Sequence, residues 1–172
     1  MRGAETPGMV RSMRETNTDL SLRVSVSVTA GAAEAFHGFT ERLDSWWVRE
    51  FTWSGPGGLQ TIGIEPALGG KAYEIGPHGL RLDWGRVLVW EPPGRLVFSW
   101  QIDPDRVPQP DPDRASEVEV HFHEGPHGTT VDLEHRHFDR HGPDGEGYWR
   151  AMTDGWRELL DRYARLICGS TS

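Results

Sequence analysis

From residue 20 the chain alternates. In LSLRVSVSV (20–28) Leu20, Leu22, Val24, Val26 and Val28 fall on one side, with Ser and Arg opposite, the period of a strand with one buried face. TAGAAEAFHGFTERLDSWW (29–47) shifts to helical spacing. Ala32, Ala35, Phe36 and Phe39 form its stripe, Thr29 is the expected cap, and the helix should end near Asp44. A short second turn is expected to carry Trp46 and Trp47.

SGPGG (54–58) reads as a loop, and TIGIE (61–65) and KAYEI (71–75) read as short strands on either side of EPALGG. After the turn GPHG (76–79), RLDWGRVLVW runs through EPPG into the strand RLVFSWQI (95–102). DPDRVPQPDPDRAS (103–116) holds four prolines and alternating charge, which predicts an extended, mobile loop unable to join a sheet. EVEVHFH (117–123) and TTVDLEHRHF (129–138) form a hairpin around EGPHG. From about Asp144 to Cys168 the pattern is helical, with Trp149, Met152, Trp156, Leu159, Leu160, Tyr163 and Ile167 on one face. Strand, helix, a run of antiparallel strands and a long helix argue for an α+β fold rather than βαβ winding. One domain is expected over 20–168, after a flexible leader over 1–19.

The hairpin DWGRVLVWEPPGRLVFSW (83–100) carries Trp84, Trp90 and Trp100. If EPPG is a four-residue loop, Trp90 pairs with Arg95, Val87 with Phe98 and Gly85 with Trp100. Val87, Val89, Phe98 and Trp100 then share an apolar inner face with Val118, Val120 and Phe122, while Trp84, Leu88 and Trp90 look outward. A three- or five-residue loop would reverse one strand and bring Trp84 and Trp90 to the side of Trp100. The four-residue reading is preferred because it keeps Arg86 and Arg95 out of the interior. It also sets Gly85 where an indole needs room.

Charge and cysteine content narrow the setting. Eighteen Lys and Arg against 26 Asp and Glu give a net charge of −8, which repels phosphate backbones and anionic lipid, so neither nucleic acid nor a membrane is an expected partner. No stretch is apolar enough to span a bilayer, and the first 19 residues hold no signal-peptide core. A cytoplasmic location is expected, and the lone Cys168 fits a reducing compartment. Met9 and Met13 leave the translational start open. The hydrophobic fraction is only 36%, yet eight residues are Trp, so the core is built from a few large pieces.

AAEAFHGFTERLDSWW, IEPALGGKAYE, WGRVLVWEPPGRLVFSW, SEVEVHF, GTTVDLEHRHF and GWRELLDRY together resemble the successive motifs of the START-like (SRPBCC, Bet v 1-like) superfamily. Within it they resemble the bacterial branch related to the activator of the heat-shock protein 90 ATPase. The resemblance covers roughly 20–168. It implies a helix-grip fold, in which a curved antiparallel β-sheet wraps a long C-terminal helix and encloses a cavity. Members bind lipids, hormones, polyketides or other hydrophobic molecules, some catalyse cyclisation or hydrolysis, and others act on a chaperone. It carries over no shared catalytic residue set.

On that fold, Val87, Phe98 and Trp100 from the sheet, Trp149, Met152 and Trp156 from the long helix, and Trp46 and Trp47 at the mouth are candidate cavity walls; equally, such aromatics can simply fill a core. His135 and His137 share the parity of Val131 and Leu133 and are expected to face inward, as hydrogen-bonded core groups or as groups that orient a ligand. Tyr73 is a further ligand candidate, with Glu74 on the opposite parity and the facing of both left open. The pair His121/His123 looks outward, and His135/His137 lack a third ligand, so no metal site is expected. No serine stands in an elbow motif, Cys168 lies beyond the cavity, and Gly69-Gly70 lacks the setting of a phosphate loop. No cofactor is expected.

These observations predict a protein that binds a small hydrophobic molecule (lipid, polyketide or aromatic metabolite), with loop 103–116 and segment 46–53 as gates. One alternative is a chaperone-activator-like interaction module using Trp84, Leu88 and Trp90 as an exposed patch, for a client or a homodimer. Another is a cavity enzyme, an aromatase/cyclase or hydrolase with His135 as general base.

Overall fold

Seven antiparallel strands, in the order β1-β7-β6-β5-β4-β3-β2, form one curled sheet around the C-terminal helix in the computed structural model, which describes residues 20–169. The strands are β1 Leu22–Val28, β2 Thr61–Ile64, β3 Lys71–Ile75, β4 Arg81–Glu91, β5 Arg95–Trp100, β6 Ser116–Gly125 and β7 Gly128–Arg136. The helices are α1 Ala32–Thr40, α2 Leu43–Trp46, the single turn α3 Gly55–Gly58, and α4 Gly145–Gly169. This is the expected α+β helix-grip fold. The expected leader lies outside the described residues.

The long helix buries Trp156, Leu159, Leu160, Tyr163 and Ile167, a stripe at steps of three and four that removes one helical face from water. Tyr163 also donates its hydroxyl to the carbonyl of Ala35 at 2.7 Å, which fixes α4 against α1. Helix α1 begins at Ala32 after Gly31, with no side-chain cap, so Thr29 does not hold the expected role. The Pro-rich segment is also less free than its composition predicts. Ile102 bridges to Pro108, and Gln109 is buried and donates its backbone N–H to the carbonyl of Gln101 at 2.9 Å. The prolines occupy positions where no sheet donor is needed, which is how such a segment can still pack.

The 83–100 hairpin departs from its expected register. Glu91 pairs with Arg95, so the loop is three residues, and Trp90 pairs with Leu96. The register then shifts between Val87 and Val89, with Leu88 as the extra residue, and Val87 regains Phe98 as its partner. A second shift lies on the other side of β4: Ala72 pairs with Gly85 but Tyr73 pairs with Asp83, so Trp84 is the extra residue there. Each bulge reverses the alternation once. Trp84, Val87 and Trp90 consequently all turn to the interior, at every third position. Trp84 is buried against Trp47, Phe98 and Trp100, and half-buried Trp90 meets Phe36 edge-on at 5.0 Å. The expected outward patch of Trp84, Leu88 and Trp90 is thus corrected: only Leu88 is exposed. Gly85 serves a different neighbour from the one expected, since a Cβ there would lie 2.3 Å from the carbonyl oxygen of Ser99.

Candidate functional site

Between β5, the turn after it and the first half of α4 lies a cleft of about 380 Å³. Trp47 and Phe51 close one side, Trp100 and Ile102 form the sheet side, and Tyr148 and Met152 come from α4. Tyr148 holds the wall together: its hydroxyl accepts from Nε1 of Trp100 at 2.7 Å and donates to the carbonyl of Ile102 at 2.8 Å. At the mouth Arg106, in a left-handed conformation, donates to the carbonyl of Glu50 at 2.9 Å, so the turn after β5 and the segment after α2 are joined. Phe51, Trp53 and Val107 are exposed apolar side chains in these same two segments.

A recess of about 30 Å³ is lined by Trp47, Phe51, Trp100, Ile102 and Arg106, all shared with the cleft, and also by Glu74, Trp84 and Trp53. Glu74 is 2% exposed. Its Oε1 accepts from the backbone N–H and the hydroxyl of Ser54 at 2.7 and 2.6 Å, and its Oε2 accepts from the backbone N–H of Trp53 at 3.2 Å. The indole N–H groups of Trp47 and Trp84 are buried and have no hydrogen-bond partner among the described residues. Each such buried, unmet donor carries a desolvation cost of about 1–3 kcal/mol.

Behind Trp100 runs a chain of hydrogen bonds. Nε1 of Trp156 donates to Nδ1 of His135 at 3.0 Å, which leaves the ring proton of His135 on Nε2. That nitrogen is 2.7 Å from Oγ of Ser116, and Oγ is 2.8 Å from Nε2 of His141. With the His135 proton placed, Ser116 accepts from His135 and donates to His141, whose own proton sits on Nδ1, 3.5 Å from Oδ1 of Asp103. Burial pushes His135 well below the ordinary imidazole range, and the nearby His141 adds to this. Burial also lowers His141, against the pull of Asp103. Both rings are therefore neutral near pH 7, and His135, wholly buried with both nitrogens engaged, presents no free base to the cleft.

The expected wall residues divide. Trp47, Trp100 and Met152 line the cleft. Val87, Phe98, Trp46 and Trp156 are core: Trp46 donates to the carbonyl of Gly38 at 3.1 Å and meets Trp47 at a tilt, with ring centroids 5.4 Å apart, while Trp156 meets Trp47 edge-on at 5.7 Å. Trp149 is half-buried and donates to the carbonyl of Ser21 at 2.9 Å, at the start of the sheet. Tyr73 belongs to the outer face, where the guanidinium of Arg81 lies 4.4 Å from its ring centroid, and Glu74 is the inward residue of the pair. His137 is also corrected. It follows the last residue of β7 with φ of 67°, which ends the alternation, and its Nε2 lies 3.9 Å from Glu117 on the outer face.

Phe51, Ile102, Arg106, Ser116, His141 and Tyr148 were not singled out by the sequence. Tyr148 had a signal, since it stands four residues before Met152 on the same helical face. Ser116 and His141 had none, being 25 residues apart and joined only by the tertiary fold. Among the described residues no three His, Cys, Asp or Glu form a metal-binding group. His121 and His123 stack outside the sheet, beside Glu119 and Asp132.

Solved structures of similar shape include the anthrahydroquino-γ-pyrone synthase Txn09, with 36% identity and a TM-score of 0.61, covering 86% of this chain and 96% of that one. CalU16 from Micromonospora echinospora matches at 23% identity and a TM-score of 0.58, over 88% of this chain and 76% of its own. Protein NE0264 from Nitrosomonas europaea matches at 16% identity and a TM-score of 0.65, over 90% and 97%. These last two likenesses speak to the fold alone. No curated protein sequence matches this one. The sequence profile described as Activator of Hsp90 ATPase homolog 1-like protein matches residues 29–167, and the chain belongs to that family.

Proposed function

We propose that this protein holds a small planar aromatic molecule, of the polycyclic kind made by polyketide assembly, in the cleft between Trp47, Trp100 and α4. The observation that carries this reading is the cleft itself. Its volume of about 380 Å³ falls in the range of small-molecule sites, ~300–1,000 Å³. Four of its lining residues, Trp47, Phe51, Trp100 and Tyr148, are aromatic, beside the apolar Ile102, Met152 and Leu159, and such rings favour flat aromatic partners through offset stacking and edge contacts. Its charged lining groups are few, Arg106 from the turn after β5 and Asp154 and Glu158 from α4, and such groups are what can fix a ligand's orientation.

A second reading is favoured by one specific likeness. The chain shares 36% identity with a pyrone synthase over nearly the whole length of both, so the bound molecule is a candidate substrate for closure of an oxygen-containing ring. His135 is a poor base for that reaction, because both its nitrogens are used. The family description instead favours action on a chaperone. That reading, and homodimerisation through the same face, has less to rest on now that Trp84 and Trp90 are inside and Leu88 alone is exposed. A cytoplasmic setting stays our reading from cysteine usage; the structure adds that no described helix is long and apolar enough to cross a membrane.

Titration with a panel of hydroxyanthraquinones, followed by tryptophan emission and melting temperature, tests the binding reading. The expected result is saturable quenching that weakens at least tenfold in Trp100→Ala. A panel that shifts neither signal sinks it. Ring closure is tested by incubating the protein with an open-chain phenolic pyrone precursor and analysing the product by mass spectrometry and chromatography. Turnover no faster than the buffer control sinks that reading.

A further inference from the structure

Helix α4 carries a glycine that the packing of the fold does not require. Glycine in the interior of a helix is destabilising relative to alanine, because it has more backbone freedom to lose. Such a residue normally answers a packing demand, and Gly38 in α1 shows one: a Cβ there would lie 2.2 Å from Cδ1 of Ile167. At the start of α4, Gly145 is required in the same way, since its Cβ would lie 2.5 Å from the carbonyl oxygen of Phe138. Gly155 stands near the middle of the 25 residues of α4 and meets no such limit. Beyond the adjacent residues and the helix's own backbone, a Cβ at 155 would find one neighbour within 4 Å among the described residues. That neighbour is Cε2 of Phe51 at 3.7 Å, an ordinary van der Waals contact. The backbone does not call for glycine either, since Gly155 is not among the residues with positive φ.

What lies beside Gly155 is the cleft. Gly155 lines it together with Phe51, and so does Ala151, one turn earlier on the same side of the helix. Helix α4 therefore offers the cleft two successive turns with almost no side chain. A longer side chain at 155 would take up cleft space or press on Phe51. A position that departs from helix preference without any need of the fold is expected where function sets the choice. We infer that Gly155 is a specificity-determining residue of the cleft: it keeps the space between α4 and Phe51 open, so that a broad, flat ring system can lie against the bare helix. This rests on the reading of the cleft as an aromatic binding site. It adds that the helix forgoes stability at this position in favour of room for the ligand.

The test reads stability without ligand and affinity with it on the same variants. Gly155→Ala should raise the melting temperature of the free protein by about 1–4 °C and weaken binding of 2-hydroxyanthraquinone at least ~threefold. Gly155→Leu restores a good helix former with a larger side chain, and should weaken binding at least ~tenfold. The two-ring 2-naphthol, measured by calorimetry, needs less of the space. Its losses should be smaller, so that the protein's preference for the three-ring compound shrinks in both variants. A glycine required by the fold would instead give a lower melting temperature in Gly155→Ala, and that result overturns the inference. Undiminished affinity for 2-hydroxyanthraquinone in both variants, or an unchanged preference between the two compounds, overturns it while leaving the cleft reading intact. Binding of neither compound by the wild type overturns the cleft reading and this inference together.

Discussion

The hydroxyl of Ser116 stands 2.7 Å from Nε2 of His135 and ties the first residue of β6 to the inward face of β7. The same oxygen lies 2.8 Å from His141 in the turn before α4. One buried hydroxyl thus joins two strands and the approach to the long helix. Ser116→Ala leaves the His135 N–H without an acceptor and His141 without its donor in a dry site. The expected cost is about 1–3 kcal/mol, read as a lower urea midpoint at unchanged m-value. An unchanged midpoint would show that the chain of bonds adds nothing net.

Acid should act in two windows. His135 and His141 are held below the ordinary histidine value of about 6.5 when folded. Below that pH the unfolded state binds more protons than the native one, so stability falls as pH drops, by at most about 1.4 kcal/mol per pH unit for each ring. Glu119 belongs to the lower window. Burial alone would raise it, but bonds from Arg136, Arg95 and His121 outweigh that and bring it to about 2. Its share of stability is present above about 4.5 and is lost as pH falls toward 2. Melting curves from pH 7.5 down to 3 should show both declines, and His135→Gln should flatten the upper one only. A melting temperature constant between pH 7 and 5 contradicts the histidine assignment.

Gly85→Ala should destabilise the sheet. Its Cβ would stand 2.3 Å from the carbonyl oxygen of Ser99 and 3.2 Å from the Cβ of Ala72. Both are held by strand pairing, so relief requires a backbone shift at the bulge. A loss of about 1–3 kcal/mol is expected, and a neutral denaturation curve would show that β4 has slack there.

Tyr148→Phe leaves the cleft's shape but unpairs Nε1 of Trp100 and the carbonyl of Ile102. Aromatic ligand affinity should fall several-fold, with a stability loss of about 1 kcal/mol. Unaltered affinity measured by calorimetry would show that Trp100 needs no second support.

Arg106→Ala severs the bond to Glu50 that spans the mouth. Stopped-flow quenching should show faster association and faster dissociation, with a smaller change in their ratio. Unchanged rates would show that the two segments do not limit access.

The alternation of β1, β6 and β7 and the 3.6-residue stripe of α4 were legible because each element has one wet and one dry face. Met152 could be placed on that ground, whereas Trp100 faces inward as expected although the hairpin register that put it there is not the one the strand adopts. Trp84, Trp90 and His137 could not be placed. Each follows a break in alternation, two bulges and a left-handed residue, set by tertiary pairing rather than by local composition. Glu74 shows the other limit. Parity placed it and Tyr73 on opposite faces, but which face was wet depended on Ser54 and Trp53, some twenty residues earlier, folding back to supply three donors. The four prolines after β5 suggested freedom, yet the side chain of Gln109 donates to Asp103 at 3.1 Å and its backbone to Gln101.

The two bulges of β4 also bear on how this strand tolerates change in length. Trp84, Val87 and Trp90 reach the interior only because two extra residues lie on the strand, and each keeps the next inward side chain in phase. Removing one residue between Trp84 and Val87 would turn part of the strand over, placing an indole in water and a guanidinium or carboxylate against the core. Substitution at Leu88, by contrast, touches only a surface position. Along this strand the outward letters matter less to the packing than the spacing between the inward ones, so its length is the more constrained variable.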